Sequence, residues 1–194
     1  MKKSMDKSKI IQAICYFAGK ENGKVIDTMK VYKLLWLSDR YHLRQYGRTI
    51  TADEYFALPY GPVPSNAKNL IDGIAQNKSD QTMFGTYLDV LDKQHIAAKQ
   101  NPDMEVFSET DRDALSLIYN IFGHKSAIEL SKFSHTFPEW KHYEKQLLDK
   151  SLKNGYKIDK DLFFINKTEK SGLFVDDTEK LDFVKSVFHD CQEQ

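Results

Sequence analysis

The sequence predicts a mostly α-helical protein of the α+β class, a compact bundle of six or seven helices with at most one small β-hairpin. Three observations favour this fold. Apolar residues recur at helical spacing in most segments, helix-capping residues precede several of these segments, and alternating apolar runs are short and few. With 194 residues, the chain can form one domain that buries a sizeable core without disulfide or metal staples.

The first two predicted helices carry strong apolar stripes. The first ends at Gly19, and its apolar face consists of Ile10, Ile11, Ile14, Phe17 and Ala18. The second is capped by Asp27 or Thr28 and runs to about Tyr46. Gly47 is expected to take the left-handed conformation that commonly ends a helix. Because the second helix is apolar on a wide face, we expect it to be central.

The middle of the chain is predicted to be less regular. Residues 55–58 form a short extended piece, and the three prolines within 59–64 form a rigid corner, since proline restricts its own backbone and that of the residue before it. A helix is predicted over about 65–75. Residues 83–91 and 95–99 have the pattern of a short hairpin.

The second half is predicted to be helical again. Ser108–Asp111 and Ser126–Glu129 are capping boxes that begin two helices, and Gly123 ends the first of them. Pro138 stands at a favourable first-turn position of the next helix. A last helix is predicted over about 177–191.

The charge of the chain counts against a general nucleic-acid binder. The 28 basic and 28 acidic residues cancel. Their distribution is uneven, with +7 in residues 1–50, −6 in 51–115 and −1 in 116–194. These regions can be solvated helix faces, complementary surfaces within the fold, or surfaces that steer a charged partner.

The cysteines and the hydropathy pattern indicate a cytoplasmic protein without membrane contact. The two cysteines, Cys15 and Cys191, give no disulfide framework, which fits a reducing compartment. The longest apolar run is the six-residue segment 13–18, far too short to span a bilayer.

Short catalytic signatures are missing from the sequence. It contains no nucleophile elbow, phosphate-binding glycine loop, dinucleotide fingerprint or zinc-binding pair of cysteines. We therefore predict no catalytic residues, no metal and no cofactor. His135 and His142 could share a helix face as a metal pair, but Pro138 lies between them, and a capping or hydrogen-bonded His135 is favoured.

Several residues are candidates for contact with another macromolecule. Tyr60 lies among the prolines of 59–64, and a rigid loop loses little entropy on binding, although the same loop can be only a corner. Trp36 and Trp140 fit a core position, or an anchor for a protein partner if exposed. Arg40 and Arg44 are one helical turn apart and either grip a carboxylate or phosphate or lie on plain surface.

A series of short motifs in a fixed order is more specific than any of these residues alone. The first block is KLLWLSDRYHL at 33–43, YGR at 46–48 and GPV at 61–63. The second block is FG at 122–123, SA at 126–127, LS at 130–131 and the segment from Ser134 and His135 to Trp140. Over about residues 10–148, this series resembles the Panacea, or SocA-like, antitoxin family.

The resemblance implies a small, mostly helical antitoxin of bacteria, phages or mobile elements that neutralises a cognate protein toxin by direct binding. It implies no catalytic centre. The positions that match the family's motifs are Lys33, Leu34, Asp39, His42, Gly47, Gly61, Pro62, Val63, His135 and Trp140. The predicted partner-binding residues are Trp36, Asp39, Arg40, His42, Tyr60, Gly61, Pro62, Val63, His135 and Trp140.

Three other functions remain open at this stage: an adaptor that delivers the toxin to a protease, an enzyme that reverses the toxin's modification through His42 or His135, and a DNA-binding autoregulator that uses the basic N-terminal quarter. We expect residues 1–150 to form the Panacea-like helical domain and residues 151–194 to form an extension packed on it. The sequence does not predict the oligomeric state.

Overall fold

The computed structural model describes residues 7–74, 78–149, 155–167 and 172–191. The chain is mostly helical, as predicted, but the prediction of at most one hairpin is wrong, because two three-stranded antiparallel sheets are present. Their strands are two to four residues long and several pair across distant parts of the sequence. Such short strands leave little alternation in the sequence from which they could be predicted.

Two N-terminal helices form the centre of the core. Helix α1 (Lys7–Lys20) buries the predicted apolar stripe, and strand β1 (Val25–Asp27) leads into helix α2 (Thr28–Tyr46). Asp27 caps α2 with its carboxylate. Gly47 has φ +69° and ends α2, which confirms the predicted left-handed position.

One sheet lies beside α1. Its strand order is β1, then β5 (His95–Ala98), then β4 (Leu88–Val90). The hairpin between β4 and β5 is confirmed but shorter than predicted, because helix α4 (Lys78–Tyr87) occupies the expected start of its first strand. The side chains of α4 that pack on the core have helical spacing: Met83, Phe84 and Tyr87.

The second sheet contains the proline-rich segment. Its order is β3 (Gly61–Pro64), β2 (Tyr55–Leu58) and β6 (Tyr156–Lys157). The predicted rigid corner is therefore a β-strand that turns back along β2. Pro62 and Pro64 fit there because β3 is an edge strand, and an edge tolerates residues that lack a backbone N–H.

Helix α3 (Ser65–Ile71) follows β3 directly and is shorter than the predicted 65–75. Gly73 has φ +72°, which ends the helical turn, and Ile74 is 62% exposed. The predicted end at residue 75 lies outside the described residues.

Four helices follow strand β5 along the chain. They are α5 (Glu109–Phe122), α6 (Ala127–Ser134), α7 (Pro138–Lys141) and α8 (Glu144–Leu148). Both predicted capping boxes are present, at the starts of α5 and α6, and the proline stands at the first turn of α7.

The C-terminal segment returns to the central helix. A 3₁₀ turn (Lys160–Phe164) and helix α9 (Thr178–Asp190) lie against α2, and Val184 and Val187 of α9 contact the Gly47 turn. Over the described parts of the chain, every helix is too short or too polar to cross a membrane.

Candidate partner-binding site

Helix α2 carries a line of polar side chains that are buried as completely as its leucines. Each of these residues is at most 1% exposed: Lys33, Ser38, Asp39, Arg40, His42 and Arg44. A buried polar group is costly unless it is hydrogen-bonded, so the partners of these side chains determine what the helix holds in place.

Asp39 holds the loop that follows α2. Its carboxylate accepts hydrogen bonds from the amides of Ile50 at 2.8 Å and Thr51 at 3.0 Å, from the Thr51 hydroxyl, and from the Tyr55 hydroxyl at 2.8 Å. These four hydrogen bonds satisfy the buried carboxylate, and they fix the path of the chain into β2.

Arg40 forms a fully buried ion pair with Glu139 of α7. Its Nε donates to the Glu139 carboxylate at 2.8 Å, and the Trp36 indole donates to the same carboxylate oxygen at 3.2 Å. The guanidinium also lies over the Phe137 ring and donates to the Ile165 carbonyl. Burial raises the pKa of Glu139, and the Arg40 charge opposes that shift. The arrangement ties α2 to α7 and to the C-terminal segment.

Arg44, one turn further along α2, is bound by the C-terminal segment. It pairs with the Asp176 carboxylate at 2.8 Å and donates to the Asn166 side chain and the Phe163 carbonyl. The predicted grip of Arg40 and Arg44 on carboxylates therefore occurs within the chain, and the plain-surface interpretation of these arginines is wrong.

His42 connects α2 to α5. Its Nδ1 donates to the Arg48 carbonyl at 2.8 Å, and its Nε2 lies 3.0 Å from the Thr110 hydroxyl and 3.1 Å from the Asp111 carboxylate. Burial lowers the pKa of His42. Asp111 also pairs with Lys9 of α1, so this cluster joins three helices.

Three side chains from three helices hold the tip of the β2–β3 hairpin. The Trp140 indole of α7 donates to the Leu58 carbonyl at 2.9 Å, and the Ser131 hydroxyl of α6 donates to the Tyr60 carbonyl at 2.9 Å. Lys33 of α2 donates to the Pro62 carbonyl at 2.8 Å. Alternate carbonyls of residues 58–62 are thus fixed, which leaves the tip little freedom.

Gly61 allows this close packing. Its φ is +100°, and a Cβ at this position would lie 2.0 Å from the Ser134 hydroxyl and 2.8 Å from Lys33 Nζ. Only glycine fits, because the backbone conformation and the contact distance both exclude a side chain.

Lys33 and Ser134 lie together under Gly61, in a combination that can act as a nucleophile and its base in hydrolases. Burial lowers the pKa of Lys33 to about 7. However, both residues are completely buried, and the Ser134 hydroxyl donates to the Ser131 carbonyl at 2.7 Å. This buried pair therefore supports the hairpin from the interior of the protein.

His135 and Trp140 complete the support of the tip. Their rings stack with centroids 3.8 Å apart, and His135 is the C-cap of α6, which confirms the predicted capping role. Burial and then the Lys33 charge lower the pKa of His135, while the Pro59 carbonyl opposes the shift. Neutral His135 is thus favoured beside the lysine.

The predicted site residues divide into two groups. Trp36, Asp39, Arg40 and His42 are interior residues of α2 whose side chains contact other parts of the same chain. The others come together at the hairpin tip, where the buried or half-buried members are Gly61, Pro62, Val63, His135 and Trp140. Tyr60 differs from all of these, since 68% of its surface is exposed.

Sequence reasoning missed three supporting residues, Ser131, Ser134 and Glu139. Ser131 and Ser134 are one turn apart on α6, and that spacing is visible in the sequence, but the identity of the strand they hold is not. Glu139 has no local signal, because its partner Arg40 is 99 residues away. In the described ranges, histidine, cysteine and carboxylate groups form no cluster of three able to bind a metal ion.

The sequence of this chain matches a model of a known protein family. The model described as the antitoxin SocA-like Panacea domain matches residues 31–141, from α2 to the end of α7. The chain belongs to this family. Searches of curated proteins and of solved structures give no significant match.

The Panacea segment contains the three side chains that donate hydrogen bonds to the hairpin tip, and it ends at the helix of Glu139 and Trp140. Helix α1 lies before it, and the segments that bind Arg40 and Arg44 lie after it. Family membership indicates a role in a toxin–antitoxin system, which implies a toxin as the general kind of partner.

Proposed function

We propose that this protein is an antitoxin that neutralises a cognate protein toxin by direct, non-covalent binding. The match of residues 31–141 to the antitoxin SocA-like Panacea domain carries the proposal. The geometry of the hairpin supports the binding step, because a surface that is already rigid loses little conformational entropy when a partner docks.

The distribution of polar chemistry also supports binding. The polar side chains of α2 interact with other parts of the same chain. Asp39 accepts four hydrogen bonds, Arg40 forms an ion pair with Glu139, and His42 donates to the Arg48 carbonyl and contacts α5. These side chains are buried, whereas a general base or nucleophile must reach the reacting atom of a substrate. Binding requires only shape and exposed anchors.

The test begins with the product of the reading frame next to this gene. Expressed alone, it should stop growth, and co-expression with this protein should restore growth and give a complex that elutes as one species. The complex is then separated in urea and the toxin is refolded. The proposal expects the toxin to have an unchanged mass and full toxicity.

Two results would contradict direct neutralisation. A toxin recovered with an altered mass and lost activity would indicate an enzyme that modifies it. A rescue that disappears in protease-deficient cells while the complex persists would indicate an adaptor for degradation. Absence of both rescue and complex would contradict the antitoxin proposal itself.

A further inference from the structure

Two exposed apolar side chains belong to the hairpin tip and to helix α6, which holds the tip. Tyr60 is 68% exposed at the tip, and Ile128 of α6 is 65% exposed. The link between them is Ser131, whose hydroxyl holds the Tyr60 carbonyl at 2.9 Å. Ile128 and Ser131 are three residues apart on one helix, which places them side by side on its surface.

Both side chains stand on a rigid support. The Tyr60 backbone lies between two other fixed carbonyls, those of Leu58 and Pro62. Ile128 follows the N-cap Ser126, where a reciprocal capping box fixes the first turn of α6. Large exposed side chains on a rigid backbone have the properties of interface hot spots.

A cation lies beside Ile128. Lys132 is exposed and lies one turn after Ile128 on the same helix face. Among the residues that the structure describes, it has no carboxylate partner. Glu129, the nearest acidic residue in the sequence, is directed to the helix start, where it accepts from the Ser126 amide at 2.8 Å and the Ser126 hydroxyl at 2.7 Å.

We propose that Tyr60, Ile128 and Lys132 form one docking surface, here called the tip surface, for a protein toxin. Its complementary face would contain an apolar pocket for the two large side chains and an acidic side chain opposite the lysine. This inference rests on the proposed antitoxin function. The apolar pair supplies most of the affinity, and the lysine contributes mainly to orientation and to the rate of association.

Another exposed aromatic residue provides a matched control. Phe183 of α9 is also 68% exposed, but it lies outside the matched segment 31–141. A substitution there changes surface hydrophobicity as much as a substitution of Tyr60 does. Lys180, on the same helix, pairs with Asp176, so the surroundings of Phe183 differ in charge from the tip surface.

The experiment measures binding of the full-length protein to the product of the adjacent reading frame. The variants are Tyr60→Ala, Ile128→Arg and Lys132→Glu, with Phe183→Ala and Phe183→Arg as controls. Circular dichroism and thermal unfolding establish that each variant is folded. Because all of the replaced side chains are exposed, we expect melting temperatures close to that of the wild type.

We expect Tyr60→Ala and Ile128→Arg to weaken binding at least about 30-fold and to abolish growth rescue. Lys132→Glu should slow association and reduce its dependence on salt. Both Phe183 variants should bind like the wild type. Wild-type affinity in folded Tyr60 and Ile128 variants would overturn the tip surface while leaving the antitoxin function intact. Failure of the wild-type protein to bind would instead contradict the proposed function.

Discussion

Lys33 should make the stability of this protein rise with pH. The amine is completely buried, and burial lowers its pKa from 10.5 to about 7. Between pH 7 and pH 10.5, Lys33 is therefore protonated in the unfolded chain and largely deprotonated in the folded chain. Because the unfolded state holds more protons there, the free energy of unfolding increases with pH, by about 1.4 kcal/mol per pH unit from this group.

Replacement of Lys33 by methionine removes this titration and keeps the length of the side chain. From the two pKa values, burial of the amine costs about 4 kcal/mol at pH 7 and about 2 kcal/mol at pH 9. The variant loses these costs, but it leaves the Pro62 carbonyl without its donor, which costs about 1–3 kcal/mol. We expect Lys33→Met to be more stable than the wild type at pH 7 and nearly equal to it at pH 9.

Urea denaturation followed by circular dichroism at pH 7 and pH 9 measures this change. The quantity of interest is the difference between variant and wild type, because groups remote from Lys33 titrate equally in both proteins, and only His135, whose pKa the Lys33 charge lowers, is expected to change with it. Lys132→Met is the control, because its ammonium group is exposed in the folded protein. If the free energy of unfolding of Lys33→Met had the same pH dependence as that of the wild type, the assignment of the lowered pKa to Lys33 would be refuted.

Three further predictions test the support of the hairpin, the buried ion pair and the cysteines. Gly61→Ala should lower the free energy of unfolding by more than about 2 kcal/mol, and Gly73→Ala by less, because only Gly61 combines a positive φ with a clash. Glu139→Gln should cost about 3–5 kcal/mol in urea unfolding, since it leaves a buried guanidinium unpaired. A thiol reagent should label exposed Cys191 in the native protein, and should label Cys15, whose pKa burial raises to about 11, only after unfolding.

The parts of the fold that short stretches of sequence determine were predicted well. The capping boxes at Ser108 and Ser126 and the left-handed Gly47 depend on neighbours within a few residues, and all three are present. Strand β3 was missed because its prolines predict a corner, and strand β1 was missed because pairing with a distant strand stabilises it. Val25 pairs with Ala97, far along the chain, and three amino acids give too short a pattern to recognise.

The candidate site was predictable in part for the same reason. The prolines around Tyr60 predict a rigid loop at the tip, whereas the exposure of Ile128 was not predicted, because the sequence groups it with the apolar residues Leu130 and Phe133 of the same helix. The interior position of Arg44 was not predictable, because its partner Asp176 is 132 residues away. Motifs that match a family do not reveal whether their polar members are buried.

The rigidity of the tip surface depends on segments outside the matched region 31–141. Lys9 of α1 pairs with Asp111, and Asp176 pairs with Arg44, so both flanking segments help to hold the buried polar side chains of α2 in place. Strands β1 and β6 complete one sheet each. Substitution of one of these buried ion-pair residues strongly lowers the free energy of unfolding, because its charged partner stays buried and unpaired. Substitution of an exposed residue such as Tyr60 changes the free energy of unfolding by about 0.5 kcal/mol or less. The proposed tip surface can therefore vary in sequence while the buried residues that support it stay constant.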